Sequence, residues 1–133
     1  MLMLFLYALM LTESDGYVDV VGDDGRSIGC LQIKKVMVRE VNRILESRGI
    51  ATRYTYNDRY SRKKSLEMAA IYFQHHFKGS TDYKRMALTW KWGKTGYWKH
   101  KDTTQSALYW ERFVKKHAIV CKKKKASIQY LSI

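Results

Sequence analysis

The spacing of apolar residues predicts a chain built mainly from helices. Residues 1–11 (MLMLFLYALML) carry no charged side chain, which is typical of a helix buried on all sides. Apolar positions recur at helical spacing in residues 34–48, 61–78 and 82–90, and a last helix is predicted over residues 104–116. We therefore expect a single domain that is mainly α, α+β at most, with about five to six helices.

Two glycine-containing stretches interrupt this helical pattern. Residues 15–30 hold four of the eight glycines, and the first helix should end near Gly16, since glycine suits the left-handed position after a helix. Inside this stretch, residues 22–25 (GDDG) predict the turn of a small hairpin. Residues 91–103 are rich in Lys, Gly and Trp, and we expect a second loop there.

The charge of the chain is high and unevenly distributed. There are 25 Lys and Arg against 12 Asp and Glu, a formal net charge of +13, which indicates an anionic partner. Residues 1–30, however, contain five acidic residues and only one arginine. A nucleic-acid-binding surface does not need that acidic segment, and the chain has no recognised binding motif, so no nucleic acid partner is expected. We expect a domain over residues 1–117, followed by a basic tail over residues 118–133.

Glu13 is the strongest candidate for a catalytic group. It closes the apolar first helix, where burial and the negative end of the helix dipole both disfavour a charged carboxylate. A carboxyl group that stays protonated near neutral pH is what glycosidic cleavage needs, because the leaving oxygen must receive a proton. From position alone, a solvated glutamate at a helix end is the alternative interpretation.

Four segments, taken in order along the chain, resemble the soluble lytic transglycosylases, a family with a lysozyme-like fold. The Glu-Ser pair at 13–14 follows the apolar helix, and residues 29–33 (GCLQI) match a Gly-Leu-Met-Gln pattern. Residues 87–93 (ALTWKWG) correspond to an Ala-Tyr-Asn or Trp-Asn-Gly-Gly segment, and residues 109–114 (YWERFV) to a tyrosine-containing last helix. The resemblance covers residues 5–117 and is strongest to small phage and bacterial members.

This resemblance implies roles for individual residues. Glu13 would be the single catalytic acid and base, and Ser14 would position it or the substrate. Lys91 stands where the family has asparagine, and an ammonium group cannot accept a hydrogen bond as an amide can. That departure either lowers activity or provides a contact to an acidic group of the substrate. The residues implied in substrate binding are Ser14, Gln32, Trp90, Lys91 and Tyr109.

The implied substrate is the β-1,4 glycan of peptidoglycan, cut after N-acetylmuramic acid. Glu13 would protonate the leaving oxygen and then act as a base on the sugar's own 6-hydroxyl, which closes a 1,6-anhydro ring. The acetamido group of the substrate supplies the remaining stabilisation, and no metal or cofactor is implied.

The place of action implied by this substrate is the periplasm or cell wall. Eleven apolar residues are too few to span a bilayer, which takes about 20. The segment also lacks the basic start and the cleavage site of a convincing signal peptide. A phage-encoded protein, carried by a virion or by a secretion assembly, would reach the wall without one.

Two alternatives stay open at this point. Asp23 or Asp24 could activate water, which would make the protein a hydrolysing muramidase, although both residues also suit an ordinary turn. The chain could instead be an inactive lysozyme-like domain with a wall-binding or structural role, and Lys91 favours this second interpretation.

An aromatic cluster surrounds the third segment of the resemblance. Its rings alternate with lysines, a pattern typical of a surface that stacks on sugars or bases. Part of the cluster must lie in the core, and Trp90 and Trp98 are the expected core members. The cluster consists of Trp90, Trp92, Tyr97 and Trp98.

Histidine and cysteine offer weaker signals. His75 and His76 are adjacent, so their side chains point about 100° apart on a helix and do not readily share one ion. Cys30 and Cys121 are expected as free thiols. These residues therefore predict no metal site.

Overall fold

The computed structural model describes residues 2–131, and this part of the chain is mainly helical. The predicted mainly α fold is confirmed, with five α-helices and one small sheet among the described residues. Met1 and the last two residues of the predicted basic tail lie outside this range. The helices are α1 (Leu2–Ser14), α2 (Lys35–Ser47), α3 (Arg62–His76), α4 (Tyr83–His100) and α5 (Thr104–Leu131).

The residues group into two compact units. Unit 1 combines the first twelve residues with the chain from Thr81 onwards, and unit 2 comprises Glu13–Ser80. The change between units falls inside the last turn of α1, so Glu13 and Ser14 belong to unit 2.

Unit 1 has an aromatic core. Phe5 of α1 is fully buried, and the centre of its ring lies 5.3 Å from those of both Tyr83 and Phe113. These contacts join α1 to the start of α4 and the middle of α5. Met3 and Tyr7 are exposed, so α1 is buried on most sides rather than on all of them.

Two helices of unit 1 are longer than predicted. The predicted loop over residues 91–103 is wrong, because α4 continues to His100 with a single break at Gly93, whose φ is 81°. One residue with positive φ absorbs the kink, and helical hydrogen bonding resumes after it. Helix α5 also runs past the predicted end at residue 116, since no glycine or proline follows Thr104 to stop it.

Unit 2 is built on the packing of α2 against α3. Helical spacing predicts buried positions at Met37, Val41, Ile44 and Leu45 of α2. The last three are buried, whereas Met37 is half-buried and Val38 beside it is buried instead. Ser61 begins α3 as expected, since its side chain accepts a hydrogen bond from the backbone N–H of Lys64 at 3.2 Å. The buried members of α3 are Ser65, Met68, Ala69, Tyr72 and Phe73.

The predicted hairpin lies between α1 and α2 in unit 2. Strands β1 (Val21–Gly22) and β2 (Ser27–Ile28) pair antiparallel and are joined by the 3₁₀ turn Asp23–Gly25. An isolated bridge then pairs Ile28 with Ile33 and folds the chain back on itself. The hairpin thereby places the 29–33 segment next to β2.

A capping box begins the 3₁₀ helix Tyr56–Tyr60 of unit 2. The backbone N–H of Thr55 donates to Asp58 Oδ2 at 2.7 Å, and Lys64 Nζ lies 3.2 Å from Asp58 Oδ1. The Thr55 hydrogen bond, and then the lysine, lower the pKa of the Asp58 carboxyl. Its charged form is therefore favoured in the folded state.

We expect Asp58→Asn to lower the free energy of unfolding by about 1 kcal/mol near neutral pH. The pKa of Asp58 is lower in the folded state than in the unfolded state. The contribution of its carboxylate to the free energy of unfolding is therefore fully present above the unfolded-state pKa of about 4, and it is lost as the pH falls through the folded-state pKa. Denaturant unfolding should thus show the variant approaching the wild type in acid. The exposed Glu46→Gln is the matched control, and a variant deficit that stays constant with pH would contradict this assignment.

Candidate active site

Glu13 and Ser14 form the end of α1. Glu13 is half-buried and Ser14 is buried. The next two residues, Asp15 and Gly16, have positive φ values of 55° and 89°, which stops the helix where the sequence predicts. The backbone N–H of Gly16 donates to Ser14 Oγ at 3.1 Å, so the serine side chain fixes the turn that follows Glu13.

A second hydrogen bond joins this helix end to the 29–33 segment. Ser14 Oγ donates to the carbonyl oxygen of Cys30 at 2.7 Å, and both residues are buried. Arg62 Nη2 of α3 donates to the carbonyl oxygen of Gly16 at 2.6 Å and holds the other side of the turn. Two segments of the family resemblance, far apart in sequence, thus meet within unit 2.

Gln32 lies in a tight turn with a φ of 52°. Its side-chain nitrogen donates to the carbonyl oxygens of Val20 at 3.1 Å and Gly29 at 3.0 Å. A Cβ atom on Gly22 would overlap with Gln32 Oε1. The Gln32 amide therefore fits against the hairpin because residue 22 is a glycine and has no side chain. Gln32 therefore braces the loop after α1.

Arg59 supports the same turn, and no pattern in the sequence indicates this role. Its side chain is buried, and Nη1 donates to the carbonyl oxygens of Ile33 at 3.2 Å and Arg26 at 3.4 Å. Its own backbone carbonyl faces Gly29, whose φ is 83°. A single arginine in a polar, tyrosine-rich connection has no spacing pattern that distinguishes it from a solvated one.

Asp23 and Asp24 occupy the hairpin turn, which confirms their predicted structural role. Both are exposed, and both have positive φ, of 50° and 57°. Asp23 Oδ2 accepts a hydrogen bond from Ser27 Oγ at 2.5 Å and lies 4.0 Å from Lys34 Nζ. These contacts orient the Asp23 carboxylate within the hairpin, and its use as a second catalytic carboxylate stays a prediction.

Lys91 and Tyr109 meet in unit 1. Lys91 Nζ lies 5.0 Å from the centre of the Tyr109 ring and 4.9 Å from that of Trp92. Trp92 is fixed in turn, because its indole N–H donates to Ser106 Oγ at 2.8 Å and its ring stacks on His100. The ammonium group thus lies against two aromatic rings, an arrangement that stabilises a cation.

The remaining aromatic residues divide between core and surface. Trp90 is buried with 8% of its surface exposed, which confirms its predicted core position. The prediction for Trp98 is wrong, since 62% of its surface is exposed. Trp98 follows the Gly93 kink, which reorients the last turns of α4, and the Arg85 guanidinium lies 5.3 Å from its ring centre.

Cys30 and Cys121 are free thiols. Cys30 is buried, and this burial raises the pKa of its thiol. A buried thiol held in its protonated form is a poor nucleophile, so Cys30 acts through its backbone carbonyl and its packing rather than through its sulfur.

Among residues 2–131, no group of three or more His, Cys, Asp and Glu side chains could hold a metal ion. Within the same range, every helix is too short or too polar to cross a bilayer.

Comparison of the chain with models of protein families, with curated proteins and with solved structures found no match.

Proposed function

We propose that this protein is a lytic transglycosylase that cleaves the glycan strands of peptidoglycan, with Glu13 as its catalytic acid and base. The observation that carries the proposal is the 2.7 Å hydrogen bond from Ser14 Oγ to the carbonyl oxygen of Cys30. It joins the Glu-Ser helix end to the GCLQI turn, the two segments whose family counterparts surround the catalytic carboxyl. The mainly helical fold is consistent with a lysozyme-like domain.

Glu13 has surroundings suited to donating a proton. It is half-buried at the C-terminal end of α1, where the helix dipole disfavours a negative charge. In the proposed reaction its proton passes to the glycosidic oxygen as the bond from that oxygen to C1 of N-acetylmuramic acid breaks. The 6-hydroxyl oxygen of the same sugar then bonds to C1, and its proton returns to Glu13. The carboxyl group ends the cycle as it began, and no water is consumed.

Ser14 and Gln32 serve as positioning residues in this account. The Ser14 hydroxyl donates its hydrogen to a backbone carbonyl, and the Gln32 side-chain nitrogen donates to two others. Each side chain thereby holds the backbone around Glu13, which reduces the motion of the acid relative to a bound sugar.

Unit 1, taken by itself, carries residues that we propose bind the glycan. The Lys91 ammonium would attract the carboxylates of peptidoglycan, and the Tyr109 ring beside it offers an apolar face to a sugar. Trp90, buried in its unit, would support this surface from within. We propose that the protein acts in the periplasm or cell wall and that it belongs to a phage or to a secretion assembly.

The proposal is tested with dye-labelled peptidoglycan. The wild-type chain should release soluble dye over time, and release should fall at high salt, because a chain of net charge +13 is attracted to an anionic polymer. A chain that sediments with the walls but releases no dye would contradict the proposal and would favour the inactive wall-binding domain. A chain that neither binds nor cuts the walls would contradict both.

A further inference from the structure

The outer face of α5 combines basic and aliphatic side chains. At 3.6 residues per turn, six positions of this helix fall within an arc of about 100°. All six side chains are exposed, whereas Ser106 and Phe113, on the opposite side of the helix, are buried. The α5 outer face consists of Leu108, Arg112, Lys115, Ile119, Lys122 and Lys123.

This face carries a strong positive charge. Residues 104–125 contain seven Lys and Arg and a single acidic residue, Glu111. Glu111 falls beside the arc and lies 3.9 Å from Lys115 Nζ, in an exposed pair. Four of the seven basic side chains belong to the α5 outer face, which therefore favours an anionic partner.

The two aliphatic residues of the face indicate which anionic partner it fits. Leu108 is 60% exposed and Ile119 is 45% exposed. They lie about 16 Å apart along the helix. Arg112 and Lys115 lie between them in the sequence, and Lys122 and Lys123 follow Ile119. Transfer from water into hydrocarbon stabilises aliphatic side chains, whereas contact with phosphates or sugar hydroxyls stabilises them little. Stacking on nucleic acid bases would require aromatic rings. The aromatic residues within 104–125 all lie outside this arc of the helix.

We propose that the α5 outer face binds an anionic lipid bilayer, with the helix lying along the membrane surface. Leu108 and Ile119 would enter the boundary between headgroups and acyl chains. The long stems of Lys115, Lys122 and Lys123 would let their ammonium groups stay at the level of the headgroups. This interaction surface is independent of glycan cleavage, and either proposal stands or falls without the other.

The electrostatic part is tested by sedimentation of the full chain with vesicles. Binding to phosphatidylcholine vesicles that contain phosphatidylglycerol should exceed binding to pure phosphatidylcholine by at least about tenfold and should weaken as salt is added. Lys122→Glu/Lys123→Glu should reduce binding to the anionic vesicles by at least about tenfold. The matched control, Lys63→Glu/Lys78→Glu, makes the same change in net charge at exposed positions of unit 2 and should have a much smaller effect.

The aliphatic part separates a bilayer from other polyanions. Leu108→Ser/Ile119→Ser should weaken binding to anionic vesicles by about tenfold and leave binding to duplex DNA unchanged. The matched control, Val36→Ser/Ile50→Ser, removes exposed aliphatics from unit 2 and should bind like the wild type. Thermal unfolding by circular dichroism checks that each variant is folded. A folded Leu108→Ser/Ile119→Ser variant that binds vesicles like the wild type would overturn the proposal, as would tighter binding to DNA than to anionic vesicles.

Discussion

Glu13→Gln should reduce the release of soluble fragments from peptidoglycan by about 1,000-fold or more. The substitution keeps the size and the hydrogen-bonding shape of the side chain but removes the proton that the leaving oxygen must receive. It also removes the base that would deprotonate the 6-hydroxyl, so both proposed steps are affected. Initial rates of dye release from labelled walls, at equal protein concentration, measure the effect.

The control for Glu13→Gln is the same substitution at Glu46. Glu46 is an exposed residue of α2, so Glu46→Gln makes the same change in net charge away from the end of α1. It should cut peptidoglycan at close to the wild-type rate. If Glu13→Gln proves equally active, Glu13 is not the catalytic acid. Sedimentation with walls should show that Glu13→Gln still binds them, because the basic residues are unchanged.

Gly29→Ala should have the largest effect on stability, lowering the free energy of unfolding by about 3–5 kcal/mol. Two costs combine at this position. The φ of 83° is unfavourable for any residue with a Cβ atom, and that atom would overlap with the backbone carbonyl oxygen of Arg59. Since a backbone carbonyl cannot rotate away like a side chain, the whole turn must move. Denaturant unfolding measures the loss.

Gly25→Ala is the matched control for the overlap at Gly29. Gly25 has a similar φ of 86°, but a Cβ atom there would meet nothing within 4 Å. Its substitution should therefore cost only the conformational part, about 1–2 kcal/mol. Equal losses in the two variants would show that the turn at Gly29 adapts without strain.

The turn at Gly29 also carries Cys30 and Gln32, so Gly29→Ala should lower peptidoglycan cleavage even in protein that stays folded.

Most helices could be predicted because their apolar spacing and their end signals agree. Helix α2 is buried at three of its four predicted positions, Val41, Ile44 and Leu45, and α3 begins at a serine whose side chain caps it. The hairpin followed from the turn preference of the GDDG segment at 22–25. In each case local sequence preference and tertiary burial favour the same structure.

The errors arose where a local signal was weak. Gly93 indicated a loop, yet one positive φ is enough to kink α4 and let it continue. The last helix is predicted to end at residue 116, whereas α5 continues through the lysines at 122–125, because lysine is a good helix former. Trp98 lies beyond the kink, so its exposure depended on a change in helix direction that spacing alone does not reveal.

The residues of the candidate site could be proposed from the sequence, but their contacts could not be predicted from it. Glu13 followed from its position at the end of an apolar helix. The serine beside it turns its hydroxyl to the backbone of the 29–33 segment, and Arg59 donates to that segment from a stretch with no pattern. Hydrogen bonds from side chains to distant carbonyls depend on tertiary structure, and residue spacing does not encode them.

The masses of the products released from purified peptidoglycan show whether the glycan is cleaved with or without water. Cleavage by Glu13 without water predicts muropeptides that end in 1,6-anhydro-N-acetylmuramic acid, each one water lighter than the corresponding reducing-end product. Reducing ends from the wild type would contradict the transglycosylase mechanism and favour a hydrolase that uses Asp23 or Asp24 to activate water. Complete absence of soluble muropeptides, from a chain shown to be folded, would contradict the assignment of this protein as a peptidoglycan-cleaving enzyme.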